Sequence, residues 1–545
     1  MSRSSRLSYI IAFILLLALA LTVTIACIVL LLARTQATSS AAVPLAATAA
    51  AVSPDRTPSP ASARQVSPAP SPHSLVATPD VNLEDLSLYQ LALRPEFAAD
   101  ALALPDATRY FIQAGLDTDD PTTLNGLVRV RYTNTETVPL DDLYFRLYPN
   151  LPGYGGSMTI GQVVLNDEPV ETNLEAQNSA LRVLLDSPLP PGGVADVALP
   201  FQATLPTDPS AGYGLYAYAD EVYALAGFYP TIPVYDDEGW NVEVAPPYGD
   251  ATFTDAAFYQ LELTVPEELT VATSGSTLDV QENGDGTRTW VAVGGPMRDF
   301  YVAMSPGYEV VSEEVGGTVV NSYYRSGQEA GGALALKYAV DALRLFSEEF
   351  GPYPYAELDV VATPTSAGGI EYPGAIVVAQ RLYDEEGGFL ELATAHEVAH
   401  QWWYGLVGSD QLDEPWLDEA LTNYSAYMYY EGTAGKQRAD FIKQRVFTDA
   451  YLTAQQERWD RRVAGPVASF SEAEYGGIVY GKGPLFFDEV RARLGDEAFL
   501  TGLRAYLQEN RYGIAYPDEL IAAFEEASEQ QIDDLYRFWI LGQAE

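Results

Sequence analysis

Apolar positions along the chain change their period at a few well-defined points. Residues 9–33 are continuously apolar and carry no charge, enough at about 1.5 Å per residue to cross a bilayer as a helix. Residues 34–80 are Ala, Ser, Thr and Pro with hardly any large apolar side chain, so they bury too little surface to offset the entropy of ordering. From 81 to 315 the pattern shortens to a period of two. The runs 126–132 (GLVRVRY), 143–148 (LYFRLY), 259–265 (YQLELTV), 287–293 (TRTWVAV) and 300–304 (FYVAM) read as strands. Gly-Asp-Gly at 284–286 marks a hairpin, and a helical lead-in is expected at 83–93. Beyond 316 the period becomes helical. Residues 333–350 form an amphipathic pattern that stops at Gly351 and Pro352, a strand follows at 358–362, and helices are expected from 390–404 to the end.

These periods predict a multidomain α+β protein. An N-terminus (1–8), a transmembrane anchor (9–33) and a disordered linker (34–80) precede a β-rich domain (81–315) and a mainly helical domain (316–545). Arg3 and Arg6 before the apolar run favour a cytoplasmic N-terminus. The expected location is therefore the cell membrane, single-pass, with both folded domains on the outer side; an uncleaved anchor is the reading favoured by the length of the run, and a cleaved signal peptide is the alternative.

Charge narrows the classes of partner. With 75 acidic and 30 basic residues the formal net charge is −45, and nucleic acid would be repelled. The surplus reads as a solvated acidic surface; a cleft that attracts cations is the sharper alternative. The single cysteine, Cys27, lies inside the apolar run, so no intramolecular disulfide can form.

The chemistry concentrates in residues 390–404, LELATAHEVAHQWWY. On a helix His396 and His400 lie one turn apart on one face, a spacing that lets two imidazoles bind one zinc ion. Glu397 between them is placed to act as a general base. Only three histidines occur, and His73 falls in the linker, so a third ligand is expected to be a carboxylate. Pro415 starts a second helix; Glu414, Asp418 and Glu419 are the candidates, with Asp418 also suited to orienting a ligand.

HEVAH followed by eighteen residues and then Glu419 within WLDEA resembles the M1 family of zinc aminopeptidases, the gluzincins. Gly368-Gly369-Ile370-Glu371-Tyr372 is similar to that family's GAMEN or GGMEN motif, and Val479-Tyr480-Gly481-Lys482-Gly483 to its VYEKG motif. The resemblance runs over roughly residues 95–545. It implies a saddle-like N-terminal β domain and a thermolysin-like peptidase domain. It implies one Zn²⁺ on His396, His400 and Glu419, Glu397 as the base and Tyr480 as the donor to the oxyanion. Glu371 would bind the substrate's α-ammonium beside the glycine-rich backbone of Gly368 and Gly369, and Tyr475 would be structural.

Two positions depart from the motifs: Tyr372 stands where the family has asparagine, and Gly481 where it has glutamate. The function implied is hydrolysis of the N-terminal bond of peptides with a free N-terminus. An open-cleft zinc endopeptidase and a noncatalytic zinc-stabilised binding module are the alternatives, the latter disfavoured because zinc binding alone needs no Glu397.

Overall fold

The computed structural model describes residues 82–384 and 388–543. The expected anchor (9–33) and linker (34–80) lie outside the described residues; among those described, no helix is long and apolar enough to cross a membrane.

The β-rich region is built on a nine-stranded sheet. In spatial order it runs Ser276–Glu282, Thr287–Met297, Ala257–Pro266, Arg109–Leu116, Thr123–Thr133, Val194–Thr204, Val164–Leu165 and Glu168–Pro169, with Ser157–Ile160 also paired to Val194–Thr204. All pairings are antiparallel except Arg109–Leu116 with Ala257–Pro266. Strict burial alternation in Thr123–Thr133 shows one wet and one dry face. The Gly-Asp-Gly turn does join two paired strands. The expected helical lead-in is a 3₁₀ turn, Ser87–Ala92: its side chains pack on the neighbouring sheet, where Tyr89 meets Phe258 at 4.7 Å, and so short a segment gains little from α-helical bonding.

A four-stranded sheet, Tyr216–Ala219, Val222–Leu225, Val302–Ser305 and Thr270–Thr273, lies beside it. A five-stranded mixed sheet follows, ordered Tyr308–Val315, Thr318–Arg325, Glu357–Thr363, Ala375–Ala379 and Gly369–Ile370. The first of these strands precedes residue 316, so this sheet draws on both sides of that position. Its central strands are buried almost throughout, as expected where helices cover a sheet. Helix α1 (Glu329–Glu349) packs on Thr318–Arg325 and on α2 (Phe389–Ala399). Helix α3 (Pro415–Ala434) is buried from Pro415 through Tyr430 and packs against α2 and α4 (Gly483–Leu494). Gly369–Ile370, at the open edge of the sheet, also contacts α2.

Helix α2 ends at Ala399, with His400 as its C-cap, short of the expected 404. Tertiary contacts override the helix-forming sequence. Trp402 and Trp403 are fully buried, and Tyr404 adopts φ 132°, a conformation costly for a large side chain. Its carbonyl accepts a hydrogen bond from Arg298 Nε at 2.7 Å.

Candidate active site

Helix geometry brings the first cluster together. His396 Nε2 and His400 Nε2 are 3.1 Å apart, and Glu419 Oε2, delivered by α3, stands 3.2 Å from the first and 3.5 Å from the second. Glu414, the loop candidate, instead accepts from Trp416 Nε1 at 2.7 Å. Asp418 points to the other side of the histidine pair: its Oδ1 is 2.6 Å from His400 Nδ1, which also faces the Trp403 carbonyl at 3.0 Å and Thr422 Oγ1 at 3.1 Å. Three oxygen neighbours place a ring proton on Nδ1 and turn Nε2 toward Glu419 and His396.

Two imidazole nitrogens and a carboxylate oxygen at these spacings cannot all be satisfied by protons among themselves. They do match three corners of a tetrahedron around an ion with bonds of about 2.0–2.1 Å, whose edges are about 3.3 Å. The donor set therefore fits zinc. Burial opposes ionisation of Glu419, but the hydrogen bonds with His396 and His400 outweigh it and hold its carboxyl far below the usual range. Glu397, only 4% exposed, is shifted the other way: burial, countered by His400 and reinforced by Glu371, Glu419 and Asp418, raises its carboxyl well above the ordinary value.

The edge strand Gly369–Ile370 and the turn after it carry Glu371 to the same place. Gln401, the residue after His400, ties the turn to the end of α2: its side chain accepts from Gly374 N at 2.8 Å and Tyr353 OH at 3.2 Å and donates to the Tyr372 carbonyl at 3.2 Å. A Cβ on Gly369 would lie 2.3 Å from Glu397 Oε1, whereas one on Gly368 would meet only the Phe389 ring at an ordinary 3.5 Å. One glycine of the pair is thus demanded by the approach to Glu397 and the other is not. Tyr372 stacks on Tyr301 at 4.1 Å with 3° between the planes.

Tyr480 sits in a π-helical turn, Ile478–Lys482, just before α4, a feature that re-aims a side chain at functional positions. Its carbonyl is held by Asn423 Nδ2 at 3.0 Å, and its hydroxyl donates to Glu419 Oε1. Burial, then the negative Glu419, raise the phenol well above its usual range. At Gly481 a Cβ would stand 3.0 Å from Tyr451 N and 3.1 Å from Ala450 Cβ, so a larger side chain there would require these neighbours to shift. Lys482 turns away to Asp460 at 2.8 Å. Tyr475 is buried edge-on to Tyr480 at 5.5 Å.

These groups share one cavity of about 480 Å³, lined by Gly368, Gly369, Glu371, His396, Glu397, His400, Glu419 and Tyr480, among others. The β-rich region supplies residues to the same cavity that carry no motif: Asp250, Thr252 and Asp299. Carboxylate atoms of Asp250, Glu371 and Asp418 lie within 4.8 Å of one another, bridged by Gln411, whose amide donates to Glu371 at 3.2 Å and to Asp418. Burial, then Glu371, raise the Asp250 carboxyl well above its usual value. Asp299 Oδ2 accepts from Tyr404 OH at 2.5 Å. Burial pushes its carboxyl up to about 7, against the hydrogen bond from Tyr404. A lone aspartate between strands gives no sequence signal; only convergence in space marks these two.

Residues 334–539 match the model of the peptidase family M1 domain. The chain is 27% identical over 340 residues to Aminopeptidase M1-B of Oryza sativa subsp. japonica, covering 58% of this chain and 38% of that protein. It spans less than half the length of the curated relatives it first matches. Among solved structures, the M1 zinc metallopeptidase of Deinococcus radiodurans is similar with a TM-score of 0.63 and 19% identity, covering 81% of this chain and 95% of that one. A mutant of that protein bound to a Tyr-Ser-Ala substrate gives 0.61 at 18% identity over the same shares.

Proposed function

The chain belongs to the M1 family of peptidases, and on that premise we propose that it is a zinc aminopeptidase acting on peptides with a free N-terminus. One observation carries the reading. His396 Nε2, His400 Nε2 and Glu419 Oε2 meet within 3.1–3.5 Å in the wall of a cavity that also holds Glu397, Tyr480 and Glu371.

His396, His400 and Glu419 would hold a single zinc ion, which when bound polarises the peptide carbonyl as a Lewis acid. Glu397 accepts a proton from the attacking water and returns it to the departing amine; its raised carboxyl suits that exchange. Tyr480 donates to the carbonyl oxygen as it becomes negative. Glu371 pairs with the α-ammonium. The substrate backbone has a place to lie as an added strand, because Gly369–Ile370 is the open edge of the five-stranded sheet. The likeness to a protein solved with a tripeptide supports peptides as the substrate class.

Free and acetyl-blocked aminoacyl amides test the reading, with zinc content measured alongside. The free amides should be cleaved, the blocked ones spared, and a chelator should abolish turnover. Glu397→Gln should retain zinc and lose activity; undiminished cleavage by that variant, or equal cleavage of blocked amides, refutes it. The apolar run at 9–33 supports a membrane tether with the enzyme on the outer side. Release of the full-length protein by alkaline carbonate without detergent would refute the tether.

A further inference from the structure

Once Glu419, Glu397 and Glu371 are given their roles, the cavity still holds Asp250, Asp299 and Glu472, and no lysine or arginine is among the described residues that line it. Asp299 is the deepest puzzle of the three. Tyr404 donates to Oδ2, while Oδ1 is buried with no hydrogen-bond partner in the protein. The neighbouring Arg298 favours the ionised carboxylate through its charge but makes no hydrogen bond to it. That guanidinium is committed to three main-chain carbonyls, of Tyr404 at 2.7 Å, Thr254 at 3.0 Å and Gly513. An unpaired buried carboxylate is costly unless protonated or met by a cation.

The surroundings of Asp299 are those of a cation site. Tyr148, Tyr229, Tyr372 and Tyr404 all line the cavity, and each hydroxyl, raised first by burial, is also raised by the Asp299 charge. All four rings are buried. Aromatic faces around a carboxylate favour ammonium and guanidinium groups. Tyr404, which donates to Asp299, has its hydroxyl 3.5 Å from Thr252 Oγ1; Thr252 donates to Gln411 at 3.2 Å and Gln411 to Glu371 at 3.2 Å, so the site for the α-ammonium and this second one lie at the same end of the cavity. The backbone strain at Tyr404, φ 132°, falls on the residue that holds Asp299 in place.

We propose that the cavity selects peptides whose N-terminal residue is lysine or arginine, with Asp299 receiving the side-chain cation inside a wall of tyrosine rings. This rests on the aminopeptidase reading for the position of the substrate's first residue, and it adds the identity of that residue. Asp299 acts here on specificity, not on the bond broken.

Two measurements on the full-length protein test it. The first is kcat/KM for Arg, Lys, Leu and Ala amides with wild type and Asp299→Asn. Arg and Lys should lead in the wild type by about tenfold or more, and in the variant the ratio of their kcat/KM to that for Leu and Ala should fall to about one. The second is calorimetric binding of L-argininamide and L-leucinamide, which needs no turnover. Wild type should bind the first about tenfold tighter, and Asp299→Asn should bind the two alike. An apolar preference in wild type, an equal loss on all four amides, or an unchanged binding ratio in Asp299→Asn overturns the proposal. If the binding ratio behaves as stated but no amide is cleaved, the cation site stands and the aminopeptidase reading falls.

Discussion

Replacing Gly369 by alanine should cripple turnover while leaving the metal in place, and the size of the effect follows from three distances. The added Cβ would lie 2.3 Å from Glu397 Oε1, 2.5 Å from its Cγ and 2.6 Å from its Cδ. Ordinary contacts between carbons lie at about 3.5–4.0 Å, so one side must give by about 1 Å. Glu397 cannot simply swing aside, because it is buried and the clash reaches back to its Cγ. The edge strand is likewise held, through Gly369 and Ile370 paired with Val378 and Val377. A reacting group misplaced by about 1 Å costs on the order of 100-fold in rate, equivalent to about 2.7 kcal/mol of transition-state stabilisation. Gly368→Ala is the matched control, since its Cβ meets only the Phe389 ring at 3.5 Å. The assay is kcat on a free aminoacyl amide with zinc measured by atomic absorption. Expected are a kcat about 100-fold down for Gly369→Ala, near wild type for Gly368→Ala, and full zinc in both. A Gly369→Ala enzyme within about threefold of wild type, or a Gly368→Ala enzyme equally impaired, refutes the reasoning.

Three further outcomes are expected. Asp418→Asn weakens the carboxylate contact to His400 Nδ1, now 2.6 Å, and should lower zinc affinity by about 10–100-fold in a competition titration with a chelator. Tyr480→Phe should lower kcat by about 100-fold or more with zinc content unchanged; a change confined to KM would assign the phenol to ground-state binding. Asp299, raised from 3.8 to about 7, binds its proton more tightly folded than unfolded. Its contribution to stability is therefore present below about pH 4 and lost as the pH rises to about 7, up to about 4 kcal/mol. Asp299→Asn should accordingly gain stability relative to wild type across that window in denaturant titrations; a pH-independent difference would show that the carboxyl is not shifted.

The pattern of apolar positions was enough to place several of the longer strands and the main helices, because period is a local property that any sheet or helix must respect. Thr123–Thr133, Ala257–Pro266 and α1 all contain the runs that announced them. The histidine pair was legible for the same reason: a four-residue spacing fixes two side chains on one helical face whatever surrounds them. The opposing carboxylate was narrowed to three by spacing and to one by resemblance, and coordinates separate them, with Glu419 toward both Nε2 atoms, Asp418 toward Nδ1 and Glu414 toward Trp416.

What folding alone decided is the content of the cavity and the end of α2. Asp250 and Asp299 come from a region that showed no cluster of ligand-type residues, and they reach Glu371 and Tyr404 only because sheet and helices close on one another. Helix α2 stops at Ala399, and the segment beyond it is fixed by distant residues: Arg298, more than 100 residues earlier in the chain, donates to the Tyr404 carbonyl. Spacing along a chain encodes contacts within one element. Contacts between distant elements depend on packing free energies that no single stretch of residues contains.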